Sequence, residues 1–385
     1  MKHHRLAPRW RLAITLTLAA AACADPARER DADATTPAAE TAQPDVGAET
    51  TPSDATADDT AEVTPEVTPD GTGPTTFALG LDIPALHIPV GELGAMSFDD
   101  WLAQTQARLA AGSHTIATPE GDVEYAFLGA EAGPTVLILH GTPGGYDFGH
   151  VMARAFAQPG VRYLTVSRPG YLRTPLGAAN QTPAAQATQL LHALDALGVE
   201  RVFVWAVSGG GPTALALAKA APTRLQGLIM ESTVSEALFA GSASPVGDET
   251  MFAMLQNPAA AVGQFVGADE AALIAADAGF LSSAQAFLQT MLPLAERTAG
   301  WSNDVDQIKV FASALDGPLP FPVLIVHGTI DENVPLAHAT GLAERLEVAG
   351  TEVESLTIEG AGHALFITHA DVFGQAVARF VAGHR

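Results

Sequence analysis

The sequence predicts an α/β fold: a mostly parallel, eight-stranded sheet with helices on both faces and a helical cap inserted late in the chain. Three observations predict it. Short β-rich runs alternate regularly with helical segments, the pattern of strands joined by crossover helices. Some of these runs, Thr135 to Leu139 above all, read as buried on both sides, as strands of a parallel sheet must be. The alternation fails in one place only, Ser232 to Leu319, where nearly ninety residues separate two strands and read as helices.

From the start of the chain, residues 1–23 pair a basic stretch (Lys2, Arg5, Arg9, Arg11) with an apolar run from Leu12 to Ala22, which is the pattern of a signal peptide. At eleven residues this run falls short of the roughly 20 that a membrane-spanning helix needs. Cys23 is the only cysteine of the 385 residues, so no intrachain disulfide can form. Its setting, Ala20-Ala21-Ala22-Cys23, resembles the lipobox of bacterial lipoproteins, in which the cysteine is acylated and becomes the new N-terminus; Ala20 stands where that family prefers Leu. The resemblance implies export and membrane anchoring through lipid on Cys23, with ordinary cleavage near Ala22 or Ala24 as the alternative.

Residues 24–76 are Ala, Thr, Pro, Asp and Glu with almost no large apolar side chain, and cannot bury enough surface to offset ordering entropy. They are expected to form a disordered tether. Thirteen acids against two arginines make its net charge −11, and self-repulsion should extend it. The whole chain carries −24, of which −17 falls on residues 77–385; this argues against nucleic acid and anionic lipid as partners, solubility being the blander reading, and membrane attachment is expected through the lipid anchor alone.

Residues 77–385 hold the periodic pattern. Strands are expected at Val123 to Leu128, Thr135 to Leu139, Arg162 to Val166, Val202 to Val207, Leu225 to Met230, Pro322 to Val326 and Val353 to Ile358. Helices are expected around Phe148 to Ala157, Pro183 to Leu197, Gly209 to Ala221, Leu336 to Ala349 and Phe366 to Ala382. Within 232–319 the helical segments are Glu249 to Leu255, Glu270 to Ala276 and Ser283 to Leu292. They are expected to cap the carboxyl edge of the sheet, where open α/β sheets place their ligands. The insertion is rich in Phe and Met (Phe239, Phe252, Met254, Phe265, Phe280, Phe287, Met291), more readily its own core than a pocket wall.

Four motifs at strand ends carry chemistry. Trp205-Ala206-Val207-Ser208-Gly209-Gly210-Gly211 joins a strand to a helix, with small residues two places either side of Ser208, as a sharp turn exposing a nucleophilic serine requires. His140-Gly141-Thr142-Pro143-Gly144-Gly145 supplies candidate backbone donors for an oxyanion at Thr142 and Gly209, with Gly144 and Gly145 near the substrate and His140 in a structural role. Val323 to Asn333 ends a strand and delivers Asp331, and Gly360-Ala361-Gly362-His363 delivers a histidine. The order Ser208, Asp331, His363 fits a nucleophile, an orienting acid and a general base. Glu231, after the strand ending at Met230, competes for the acid's place and reads otherwise as a solvated or cap-contacting residue. Arg168-Pro169-Gly170-Tyr171 is a turn whose Tyr171 is read as a pocket wall. His327 is expected to pack at its strand end, and the remaining histidines have no second ligand at metal spacing, so neither metal nor cofactor is expected.

Together HGTPGG, SRPGY, the Ser208 elbow, HGTID and GAGH make residues 123–381 similar to the α/β-hydrolase superfamily. The HGxPGG loop resembles that of proline iminopeptidase-like and esterase-like members. Peptidases of that group usually carry G-x-S-W-G and cap acids that hold a substrate amine, and Val207-Ser208-Gly209-Gly210 departs from that elbow. A serine at 208 also sets the chain apart from relatives with an aspartate nucleophile. The resemblance implies hydrolysis of a small acyl substrate, an ester first, through an acyl-enzyme; the competing class is a non-catalytic binding lipoprotein on the same fold.

Overall fold

Residues 86–385, apart from 89, 240–246, 264, 314 and 316, are described by a computed structural model. The chain divides into two units, 1–76 and 77–385. The signal peptide, Cys23 and the tether all lie outside the described residues.

Eight strands form one sheet: β1 (His114–Ile116), β2 (Val123–Gly129), β3 (Thr135–Leu139), β4 (Arg162–Val166), β5 (Val202–Val207), β6 (Leu225–Glu231), β7 (Val323–Gly328) and β8 (Val353–Ile358). Their order across the sheet is β1-β2-β4-β3-β5-β6-β7-β8. β1 and β2 run antiparallel to their neighbours, and every pairing from β4 to β8 is parallel. The seven strands expected from sequence are present. β1 carries no such signal, because three residues, none of them buried, are too few for a period to show.

Strand alternation assigns each face its own core. Phe203, Trp205 and Val207 of β5 face the helices Tyr146–Phe156 and Ala370–Gly383, where Phe148, Met152, Phe373 and Val377 meet them. Val202, Val204 and Ala206 face the helices Pro183–Ala196 and Gly211–Ala220, against Leu190, Leu194, Leu215 and Leu217. Both sides of the strand are therefore apolar, which is why its sequence shows no polar alternation. A large side chain such as Phe203 or Trp205 buried in this way contributes about 1.5–3 kcal/mol relative to exposure.

The insertion after β6 holds five described helices, Asp248–Leu255, Pro258–Val262, Ala268–Ala276, Ala278–Gln289 and Thr298–Lys309. The first, third and fourth overlap the expected segments; the second is only five residues long, and the last has a narrow buried stripe (Gly300, Asp304, Val305, Ile308) interrupted by an acid, so neither was expected. Phe252 and Met291 are buried in the same core as β5, and Met254, Phe265, Phe280 and Phe287 pack against it. Phe239 is exposed instead. The insertion is thus held by its own apolar side chains, joined to the core of one sheet face.

Candidate active site

β5 stops at Val207 and the helix that follows starts at Gly211, which leaves three residues for the reversal. The turn forces Ser208 to φ +48°, a left-handed conformation that costs a non-glycine residue free energy and holds its side chain out from the sheet edge. Neighbouring residues must be small for the turn to fit. A Cβ at 210 would lie 2.6 Å from the carbonyl oxygen of Leu139, and one at 209 would collide with the Thr142 hydroxyl.

The loops after β7 and β8 bring an acid and a histidine to this serine. Ser208 Oγ lies 3.1 Å from His363 Nε2, and His363 Nδ1 lies 2.8 and 3.0 Å from the two carboxylate oxygens of Asp331. With Nδ1–H donating to Asp331, Nε2 is left to accept the hydroxyl proton. Asp331 is fixed by the N–H groups of Asn333 (2.9 Å) and Val334 (3.0 Å), both donating to Oδ1. The two loops are tied by backbone bonds from Ile330 to Ala361 and from Thr329 to Ile358. Burial alone would lower the pKa of His363, but the charge and hydrogen bond of Asp331 outweigh it and hold the imidazole above the usual histidine range. Burial would likewise raise Asp331, and the adjacent imidazole overrides it, keeping this carboxyl below the usual range.

Thr142 and Gly209 come together from two strand ends: an ideal Cβ on Gly209 would stand 3.5 Å from the Thr142 amide nitrogen. Behind Thr142 lies a buried polar cluster. Asp304, on the last helix of the insertion, accepts from Arg168 Nη1 (2.7 Å) and Nη2 (2.6 Å), from the Tyr171 hydroxyl (2.6 Å) and from the Thr142 hydroxyl. Arg168 also donates through Nε to the carbonyl of His140 (3.1 Å). His140 is packed as expected: the Arg168 N–H donates to its Nε2 at 2.9 Å, so the proton sits on Nδ1, beside the Gly141 carbonyl. Burial and the neighbouring guanidinium keep its pKa well below the usual value and the ring neutral. His327 is packed too, with Nε2 donating to the Val334 carbonyl at 2.8 Å.

Three residues expected beside a substrate have other partners. Tyr171 is fully buried, edge-on to His140 with its hydroxyl on Asp304, so it braces the loop 140–145 from behind. Gly144 is buried and gives its carbonyl to Arg297 Nη1 at 2.7 Å; Gly145, also buried, precedes the helix Tyr146–Phe156. Arg297 in turn pairs Asp147 through both η nitrogens, at 3.0 and 2.9 Å. The sequence could not reveal this, since Arg297 and Asp304 come from the insertion, more than a hundred residues away. Glu231 is fully buried, which corrects its reading as a solvated or cap-contacting residue. It takes the indole N–H of Trp205 at 2.8 Å, and burial pushes its pKa up to about 8. His363 Nδ1 is spent on Asp331, so Glu231 does not occupy the acid's place.

Two functional candidates went unread in the sequence. Asp304 and Glu270 are buried acids on apolar helix faces, Asp304 with Val305 and Ile308, and Glu270 with Ile274 one turn on. An acid in the register of a helix's apolar stripe is the signal that marks them.

A family model for the alpha/beta hydrolase fold matches residues 134–370. Among curated proteins, a non-heme chloroperoxidase from Streptomyces lividans is 27% identical over 290 residues, which cover 69% of this chain and 99% of the relative. Among solved structures, an alpha/beta hydrolase fold protein from Nakamurella multipartita is 29% identical with a TM-score of 0.60, covering 70% of this chain and 98% of that one. An esterase from Exiguobacterium antarcticum has a TM-score of 0.53 at 19% identity, covering 70% of this chain and 98% of that one, a likeness of fold alone.

Proposed function

The chain belongs to the alpha/beta hydrolase fold family, and from that premise we propose that it is a serine hydrolase acting on a carboxylic ester or related acyl substrate. The observation that carries the proposal is the continuous relay Ser208 Oγ, His363 Nε2, His363 Nδ1, Asp331, with distances of 3.1 and 2.8 Å. Serine is a weak nucleophile at neutral pH and needs a base within hydrogen-bond reach. His363 takes the Ser208 proton as Oγ attacks the acyl carbon. The N–H groups of Thr142 and Gly209 receive the developing oxyanion, and removal of one such donor costs about 10²–10³ in rate. Collapse breaks the acyl–oxygen bond and returns the proton to the leaving alcohol, leaving an acyl-Ser208. Water then attacks, gives its proton to His363, and the acid departs as Ser208 recovers the proton.

An ester fits better than an aminopeptide. Among the described residues the buried acids of the insertion are Glu270 and Asp304: Asp304 is neutralised by Arg168, and Glu270 is closed off from solvent with one oxygen on the Ala364 N–H, so neither stands open to a substrate amine. Labelling the full-length chain with a fluorophosphonate and weighing it intact tests the proposal: one adduct is expected on wild type and none on Ser208→Ala. Well-folded wild type that takes no adduct would leave ligand binding on the same fold as the better account.

Lipid anchoring at Cys23 and residence in the cell envelope belong to the same proposal and rest on the sequence pattern alone. A palmitate analogue fed to expressing cells should label the chain, and Cys23→Ser should abolish the label; equal labelling would refute it.

A further inference from the structure

The mechanism above uses one of the acids around His363. Glu270 is another, carried by the helix Ala268–Ala276. Its side chain is 3 % exposed, and Oε1 accepts the N–H of Ala364, the residue after His363, at 3.0 Å. The carboxylate also lies directly over Gly362, the residue before His363: an ideal Cβ there would stand 2.9 Å from Oε1 and collide with Oε2. Glycine at 362 is therefore what lets the acid come this close. The segment that leads into this helix contacts the Asp331 loop, with Asn333 Nδ2 donating to the Phe265 carbonyl at 2.7 Å and Glu332 against Gly267.

Oε2 of Glu270 is buried without a hydrogen-bond partner. An apolar side chain would fill the position at lower cost, as Ile274 does one turn further along the same face. Packing alone does not account for an acid here.

Taking the hydrolase reading as its basis, we propose that Glu270 is a positioning residue for His363. It holds the backbone on both sides of the imidazole, and its charge helps set the pH at which the imidazole becomes free to act as base. The other groups facing His363 are Asp331 on the β7 loop, His327 at the end of β7 and Glu231 at the end of β6. Glu270 itself faces His363 and Asp331, with Glu332 at the start of its helix and Asp269 beside it on the exposed side. Burial raises the Glu270 carboxyl while the imidazole pulls it back down; in return, after Asp331, the Glu270 charge helps hold His363 up.

The test compares full-length wild type, Glu270→Gln and Glu270→Ala. Glutamine keeps the size and an oxygen to accept the Ala364 N–H, removes the charge and puts an NH2 in place of Oε2. The His363 ring resonance, identified by its loss in His363→Asn, is titrated by NMR, and the fluorophosphonate reaction rate is followed across the same pH range. In Glu270→Gln the His363 midpoint should fall by about half a pH unit or more, and the acid limb of the labelling rate should move with it. In Glu270→Ala, Ser208 labelling on the pH plateau should slow by about tenfold or more through misplacement of the base.

A His363 titration in Glu270→Gln that overlays wild type overturns the proposal, whatever happens to the unfolding midpoint. If Glu270→Ala fails to fold, the glutamine titration decides by itself. The NMR midpoint needs no turnover. A shifted midpoint in a chain whose serine never reacts would therefore support the coupling to Glu270 and refute the hydrolase reading, so the two failures are distinguishable.

Discussion

The insertion reaches the candidate active site through two buried acids that are built in opposite ways. At the Thr142 end, Asp304 meets four donors from three residues, and the guanidinium of Arg168 balances its charge. At the His363 end, Glu270 accepts the Ala364 N–H with one oxygen, and the other has no hydrogen-bond partner. Desolvating a charge is costly, and close partners offset that cost only when they match every lone pair. The difference teaches that one contact is a closed brace whose geometry resists change, whereas the other retains an unmatched oxygen and can respond to protonation.

The largest expected effect comes from breaking the closed brace. Asp304→Ala leaves Arg168 buried and unpaired, and should lower unfolding free energy by about 3–5 kcal/mol in urea titrations. Adding Arg168→Met to that variant should recover much of the loss, because the unpaired charge goes with it. If the double variant is no more stable than Asp304→Ala, the cluster is not a matched pair, and the contrast with Glu270 collapses.

Glu231 sharpens the comparison from the other side, as a buried acid with one neutral donor and one unmatched oxygen. Burial places its pKa at about 8 in the folded chain against about 4.5 unfolded. Below pH 4.5 both states hold the proton. Between 4.5 and 8 the unfolded state releases it while the folded state keeps it, so stability falls as pH rises, at about 1.4 kcal/mol per unit. Glu231→Gln removes this slope, so its stability relative to wild type should rise by several kcal/mol from pH 5 to pH 8. A stability difference that does not change with pH would show that Glu231 ionises normally.

Much of this architecture is legible in the sequence because it depends on local pattern. Seven strands announce themselves by β-rich runs, and Ser208, Asp331 and His363 stand at strand ends that the sheet must bring to one edge. What escapes is whatever depends on partners distant in the chain. Tyr171 reads as a pocket wall because its turn follows a strand, and only the fold shows Asp304, 133 residues away, taking its hydroxyl. Gly144 and Gly145 read as substrate neighbours until Arg297 arrives from 153 residues beyond Gly144. Glu231 looks solvated because it is an acid at the end of an apolar run; the indole of Trp205 on the neighbouring strand is what allows its burial.

The smallest expected effect separates a brace from a wall at Tyr171. Tyr171→Phe removes one of four donors to Asp304 and leaves the guanidinium in place, so it should cost about 1–2 kcal/mol of stability, less than half the effect of Asp304→Ala. Burial and the adjacent Asp304 charge raise the tyrosine pKa well above its usual value, so the hydroxyl keeps its proton and its role is that of donor. Such a loss should leave the rate of Ser208 labelling by small and bulky fluorophosphonates in the same ratio as in wild type. A pocket wall would behave differently, changing that ratio while stability stayed constant. A changed ratio would therefore return Tyr171 to the substrate and remove it from the brace.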